Sequence, residues 1–496
     1  MSTIEREHCA SSLRDKGTAS MVEDTTDTQN SEGFIFEEET EAEKKLLRKV
    51  DTYLLPSIWI VYLLSYMDRS NIGNARVAGM GEALELTDDR YYLVVVLFQI
   101  GYVLAEVPSN MILSRSRPSL FIPALMIFWG ASCAVIACVQ TWQQLVGFRF
   151  LLGVAEAGFS PAVMFIISSW YRKHEQSKRF VVFHSAGIMS GAFGSILAGA
   201  ITRGLDGSLG IAGWRWLFII EGVITVAVGF VVKFTLLDYP LTSKRLRPEE
   251  RELAYARLRA DGITSRNDSS QHQISHLAAM KAAVSNWRLI PLTLGYMTVI
   301  GSMSLAYFYP TFAAQLGYNK TDAQYVTKSS NHRVELTGTR YMTAPFYGVA
   351  LVIAVTLCII ADKVPHFRAL FTFSVLLIFG CLFSALAATI HHPKARYAFL
   401  CFINTAVWSA NPLSLSYTST VLGPVQPEVR AICLAIINGF ANLAQLYGTY
   451  IFTASTPPDY VMGFCVYSAI FAVGATIYLS AFFIFKKWPY IGVVNY

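Results

Sequence analysis

The segment TYLLPSIWIVYLLSYMDRSNIGN, residues 52–74, decides the fold. It is long and apolar enough to cross about 30 Å of hydrocarbon as a helix. Yet it carries Asp68 and Arg69 side by side. A charged side chain at the centre of a bilayer costs from about 2.5 to about 17 kcal/mol, so such residues pair, line a watery cavity, or do both.

Apolar segments of this kind recur at residues 91–113, 119–139, 143–169, 180–202, 214–237, 289–313, 343–361, 369–389, 397–421, 429–452 and 461–485. With 53% hydrophobic and 15% charged residues, the chain falls well below the charged share of about 25% usual for soluble domains. The pattern predicts an all-α membrane protein of twelve transmembrane helices in two six-helix bundles, divided by the polar stretch 238–288. Residues 51–237 and 289–485 form the two bundles in this reading. Residues 1–50 read as a disordered tail with a short amphipathic helix near Lys44–Lys49, and 486–496 as a second tail.

Basic residues gather in alternate loops: Arg115 and Arg117, then Arg172, Lys173, Lys178 and Arg179, then Lys244, Arg245, Arg247 and Arg251, then Lys363 and Arg368, and finally Lys486 and Lys487. This asymmetry predicts that both termini are cytoplasmic. It also spreads the net charge of +6 over several loops, which argues against a nucleic-acid partner. Residues 326–341 interrupt the pattern as a polar, aperiodic insert in an outer loop, either a genuine surface loop or translated intron sequence. Asn319, in Asn-Lys-Thr on the same loop, is a glycosylation acceptor.

Several chemistries find no motif. There is no G-x-x-x-x-G-K-[ST] loop for a nucleotide, no H-E-x-x-H, no G-x-S-x-G and no cysteine–histidine cluster. The chain therefore reads as a non-enzyme with no catalytic residues, cofactor or metal, drawing energy from an ion gradient.

The interior charges carry the candidate chemistry. Arg149 and Glu156 lie two turns apart on one helix face, with Glu156 deeper. Matching depths suggest Asp68 paired with Arg149, Arg69 free to grip an anion, and Glu156 as a second titratable carboxylate beside Asp68. Static salt bridges between helices are the plain alternative. Glu221, close to the outer boundary, reads as a structural charge fixed by Arg215, and His184 as a packing residue. Gly187, Gly191, Gly194 and Gly199 predict close helix packing. In the second half the polar candidates are neutral: Asn411, and Asn438, Asn442 and Gln445 on one face.

Tyr66-Met67-Asp68-Arg69-Ser70-Asn71-Ile72-Gly73-Asn74-Ala75, Arg149-Phe-Leu-Leu-Gly153-Val-Ala-Glu156-Ala-Gly158-Phe-Ser-Pro161 and Glu106-Val-Pro108-Ser-Asn110 resemble signatures of the major facilitator superfamily. More closely they resemble its anion:cation symporter family, the fungal allantoate and nicotinate permeases. The resemblance implies the major facilitator fold, with Asp68 and Glu156 as proton carriers, Arg69 as the substrate-carboxylate contact and Arg149 as the partner of Asp68. The loop Ser114-Arg115-Ser116-Arg117-Pro118 matches the superfamily's Gly/Asp/Arg loop only loosely.

These readings converge on a secondary active transporter in the plasma membrane. It would act as a monomer in the lipid bilayer, carrying a small organic anion, such as a vitamin or ureido acid, together with protons. A drug/proton antiporter and a non-transporting nutrient sensor are the alternatives. The first is disfavoured by the absence of proline among the span-5 glycines, the second by the small polar loops.

Overall fold

The computed structural model describes residues 40–263, 275–308, 332–390, 392–453 and 460–488. In hydrocarbon each backbone N–H and C=O must find its partner within the segment, which restricts such a chain to helices. Among the described residues the first six spanning helices are α1 Glu41–Ala75, α2 Asp88–Arg115, α3 Pro118–Ile136, α4 Trp142–Trp170, α5 Gln176–Gly204 and α6 Gly213–Thr235. The last six are α7 Leu289–Ser302, α8 His332–Lys363, α9 Pro365–Thr389, α10 Pro393–Val421, α11 Pro427–Thr453 and α12 Val461–Lys487. Each overlaps a span expected from the sequence, and among the described residues nine of the twelve, all but α5, α7 and α8, are long and apolar enough to cross a membrane. Local signals set their starts. Thr87 and Thr141 turn their hydroxyls onto the Arg90 and Gln144 N–H groups to cap α2 and α4, while Pro118 and Pro393 open α3 and α10.

The packing repeats. In the first six helices α1 pairs with α5, α2 with α4 and α3 with α6; in the last six, α7 pairs with α11, α8 with α10 and α9 with α12. Advancing each helix number by six converts one set into the other, the contact signature of an internal duplication. The two sets meet mainly along α2 with α11 and α5 with α8.

Glycine controls one crossing decisively. A Cβ on Gly101 would lie 2.5 Å from the Phe150 carbonyl oxygen, and one on Gly153 would overlap the Phe98 carbonyl oxygen. The α2 and α4 backbones therefore touch, which fixes the relative positions of the acids they carry. The span-5 glycines do less than expected: Gly187 and Gly194 face side chains at ordinary contact distance, and nothing lies within 4 Å of a Cβ at Gly199.

Two boundaries differ from the sequence reading. Residues expected in the N-terminal tail belong to α1, which starts at Glu41 and buries Glu43, Leu46 and Val50. Of the stretch 326–341 read as a loop insert, residues from His332 onward are the first turns of α8. Extending an existing helix adds one hydrogen bond per residue, so a polar stretch without proline continues it readily. Residues 326–331 and the Asn319 acceptor lie outside the described residues.

The helix Pro248–Ala260 lies in the central polar stretch, and Arg257 on it reaches Glu43 of α1 and Glu175, each at 2.6 Å. Lys49 meets Glu250 at 2.7 Å. Burial pushes the Glu250 carboxyl up, but the Lys49 ammonium and the Arg247 N–H outweigh it and hold it below its usual range. Arg179 grips both oxygens of Asp51, at 2.9 and 2.8 Å. Asp362 at the end of α8 accepts from the Ser177 and Lys178 N–H groups at 2.9 and 3.0 Å. These are orphan donors of the first turn of α5, where the helix dipole favours an anion. Arg368 holds Asp362 at 2.7 Å and also donates to the Lys173 carbonyl. Arg179 and Arg368, which the sequence places among the basic loop residues, are thus buried in ion pairs.

The glycine geometry separates two substitutions. Gly153→Val is expected to destabilise the purified protein by about 1–3 kcal/mol through overpacking. Gly199→Ala should raise stability by up to about 1 kcal/mol. Thermal unfolding in detergent, followed by intrinsic fluorescence, measures both.

Candidate functional site

Neighbours on a helix point about 100° apart, and this separates Asp68 from Arg69. Asp68, 1% exposed, turns toward α3 and α6. There the Cys133 thiol donates to Oδ1 at 3.5 Å and the Thr225 hydroxyl to Oδ2 at 3.4 Å. Arg69 turns toward α2 and α4. Its Nε donates to Glu156 Oε2 at 2.7 Å, an oxygen that also accepts from Ser65 at 3.1 Å.

The expected pairing is therefore exchanged. Asp68 and Arg149 make no ion pair within 4.0 Å, and Arg69, expected to be free for an anion, is held by Glu156. Arg149 is buried, its Nε and Nη2 without hydrogen-bond partners, but it remains in electrostatic reach of Asp68 and Glu156. Depth matched Asp68 and Arg69 with Arg149 and set Glu156 deeper, but rotational phase chose the contacts.

Aromatic rings surround the Arg69 guanidinium, with Tyr102 centred 4.6 Å away, Phe98 at 5.5 Å and Tyr66 at 5.6 Å. Each ring face presents negative potential to the cation. The Glu156 side chain is fully buried, whereas 19% of the Arg69 side chain remains exposed. Of the pair, Arg69 is the member an incoming anion can touch.

Glu221 and Arg215 do not form the expected structural pair. Six residues along a helix turn through about 600°, leaving the two side chains on different faces. Arg215 donates to the Ala137 carbonyl and stacks 4.4 Å from the Trp214 ring centre. Glu221 is 1% exposed, with neither carboxyl oxygen hydrogen-bonded, and it interacts through charge with Asp68. His184 bonds the Phe180 carbonyl at 2.9 Å and packs edge-on against Tyr62, as a packing residue should.

In the last six helices the Tyr296 hydroxyl donates to Asn411 Oδ1 at 3.0 Å. Asn442 donates to the Asn438 carbonyl at 3.0 Å, and Gln445 to Asn442 Oδ1 at 3.3 Å. The amide face read from the sequence is thus a connected ladder.

Glu106, quoted from the sequence only as part of a signature, was given no role there. This acid of α2 is fully buried, and its Oε1 accepts from Asn438 Nδ2 of α11 at 2.5 Å. The signal that marked Asp68, an acid inside an apolar span, was present here too. Among the described residues no group of histidine, cysteine and acidic side chains could hold a metal ion.

A polytopic helical protein with duplicated packing, with acids and arginines buried inside its first six helices, has the build of a secondary transporter. The family model of the Major Facilitator Superfamily matches residues 58–449, and the chain belongs to that superfamily. It is 32% identical over 461 residues to the MFS transporter prlL of a fungal species (strain NRRL 50135), covering 90% of this chain and 87% of that one. A protein of Agrobacterium vitis that bears the name "Putative tartrate transporter" is 32% identical over 288 residues, covering 58% of this chain and 64% of its own. Among solved structures, the proton:xylose symporter XylE bound to 6-bromo-6-deoxy-D-glucose superposes with a TM-score of 0.53 at 15% identity, covering 88% of this chain and 96% of that one. A bacterial homologue of the human lysosomal transporter Spinster, inward-facing and unoccupied, gives 0.52 at 16% identity, covering 88% and 98%. These likenesses carry the fold. The chain is a transporter of small molecules, not an enzyme.

Leaving one member of a buried pair alone costs about 3–5 kcal/mol, while removing both can be neutral. Glu156→Leu should therefore lower the unfolding midpoint markedly, and adding Arg69→Met should restore most of the loss. A double-mutant cycle on purified protein measures the coupling.

Proposed function

We propose that this chain carries a small organic anion together with protons across the plasma membrane, with both termini in the cytoplasm. The single observation behind the reading is the 2.7 Å contact between Arg69 and Glu156. While Glu156 is ionised it neutralises Arg69, and with Arg149 buried an organic carboxylate finds no exposed guanidinium free to receive it. A proton on Glu156 removes that competitor, and the partly exposed guanidinium then offers a carboxylate its two-pronged donor geometry. Anion and proton thus load together, the requirement for symport.

In this reading Asp68 is the second proton carrier. It lies behind Glu156 and interacts with it through charge, so a proton on one carboxyl lowers the cost of ionising the other. Arg149, within reach of both acids, stabilises whichever is ionised. Asn411, Asn438, Asn442 and Gln445 supply neutral hydrogen bonds from the opposite helices, and residues 51–237 and 289–485 serve as the two moving bundles. The Agrobacterium relative named for tartrate supports an organic acid as cargo. Nicotinate, allantoate and related vitamin or ureido acids are the first substrates to try.

Uptake of a panel of labelled carboxylates into vesicles tests the reading. Acidifying the outside should raise uptake in the parent protein. Arg69→Ala should abolish it, and Glu156→Gln should bind anion but lose the dependence on the pH gradient. Uptake indifferent to the gradient refutes symport, and full uptake by Arg69→Ala refutes the carboxylate contact.

A further inference from the structure

We propose that Glu106 is a proton-sensitive tie between the first six helices and the last six, acting through its hydrogen bond to Asn438. The inference rests on the chain working as a proton-coupled carrier, but concerns a residue outside the Asp68, Arg69, Arg149 and Glu156 group. The α2–α11 seam is one of two principal contacts between the sets, and Glu106 is buried inside it. Its Oε1 receives the Asn438 amide at 2.5 Å. Oε2 has no hydrogen-bond partner and faces the α11 backbone, where a Cβ on Gly439 would come within 3.2 Å of it.

Among the described residues no cation pairs with Glu106 within 4.0 Å. The charged and titratable groups that reach it are Arg69 from α1, Tyr102 from its own helix and Tyr296 from α7. The neighbouring residues of α11 are neutral: Asn438, Gly439 and Asn442. Asn438 is itself held in register, because Asn442 donates to its carbonyl and Gln445 to Asn442.

The two protonation states hold the seam differently. Ionised, Glu106 makes a charge-assisted bond to Asn438, roughly twice as strong as a neutral one. Protonated, it carries the hydrogen on the unpartnered Oε2, relieves the cost of a buried charge, and leaves Oε1 a neutral acceptor. Proton loading therefore weakens the link between α2 and α11 and proton loss tightens it. The arrival of a proton becomes freedom for the two sets to separate along this seam. Glu106 is a positioning residue in this scheme, and need not touch cargo.

Spin labels placed at the exposed positions Leu104 on α2 and Phe440 on α11 report the seam directly. The background would be the full chain with Cys9, Cys138 and Cys465 replaced by serine, in lipid nanodiscs. Acidification between pH 8 and pH 5 should shift or broaden the inter-label distance distribution. Glu106→Gln, which keeps the shape but cannot ionise, should show the acid-side distribution at every pH, and Glu156→Gln should retain the shift. A parent protein without a shift, or a Glu106→Gln protein whose seam still follows pH, overturns the proposal. Pulse dipolar measurement needs no cargo. A persistent shift in a protein that fails proton-driven anion uptake would remove the transport reading and leave the tie standing.

Discussion

A carboxylate at the centre of a helix bundle is ionised at least cost with a cation in contact, and for Glu156 that cation is Arg69 at 2.7 Å. Much of the first half follows from keeping the two together. Arg69 reaches α4 past α2 because Gly101 and Gly153 bring the α2 and α4 backbones into contact. The same approach places Phe98 and Tyr102 against the guanidinium, while Asp68, a residue earlier, is turned away to Cys133 and Thr225. One buried pair thus orients three helices and sorts the remaining acids into separate surroundings.

The twelve helices were legible because hydrocarbon imposes its own length and composition on any segment that crosses it. The candidate charges Asp68, Arg69, Arg149, Glu156 and Glu221 could be picked out for the same reason, since an interior charge stands out in an apolar run, although Glu106 was given no role. The pairings were not. Asp68 with Arg149 and Glu221 with Arg215 satisfied depth or proximity in sequence, yet contacts in a bundle depend on rotational phase, which depth does not supply. Glu106 was harder still, because its partner Asn438 lies 332 residues along the chain and only the α2–α11 seam brings them together. The start of α8 was misplaced because polarity marks where a helix leaves the apolar layer, while its hydrogen bonds can run further.

The ionic layer around Asp362, Arg368, Glu175 and Arg257 shows a second use of charge. Here the groups lie near helix ends and form a network, with Asp362 doubling as a cap for α5. Its partners come from both sets of helices, so it joins them at that end as Glu106 and Asn438 join them deeper in. Among the described residues the two sets are thus joined by an ionic network near the helix ends and, deeper in, by the hydrogen bond between Glu106 and Asn438.

The interior acids Asp68, Glu106, Glu156 and Glu221 outnumber the arginines Arg69 and Arg149 by two, and all six residues ride on the first six helices. Fully ionised, that set carries an excess negative charge on which the membrane voltage acts whenever the helices tilt, at about 2.3 kcal/mol per elementary charge per 100 mV. Partial neutralisation makes the same tilt nearly blind to voltage. If the two sets of helices rock against each other, the imbalance between acids and arginines would make one half of that cycle electrically driven and the other electrically silent.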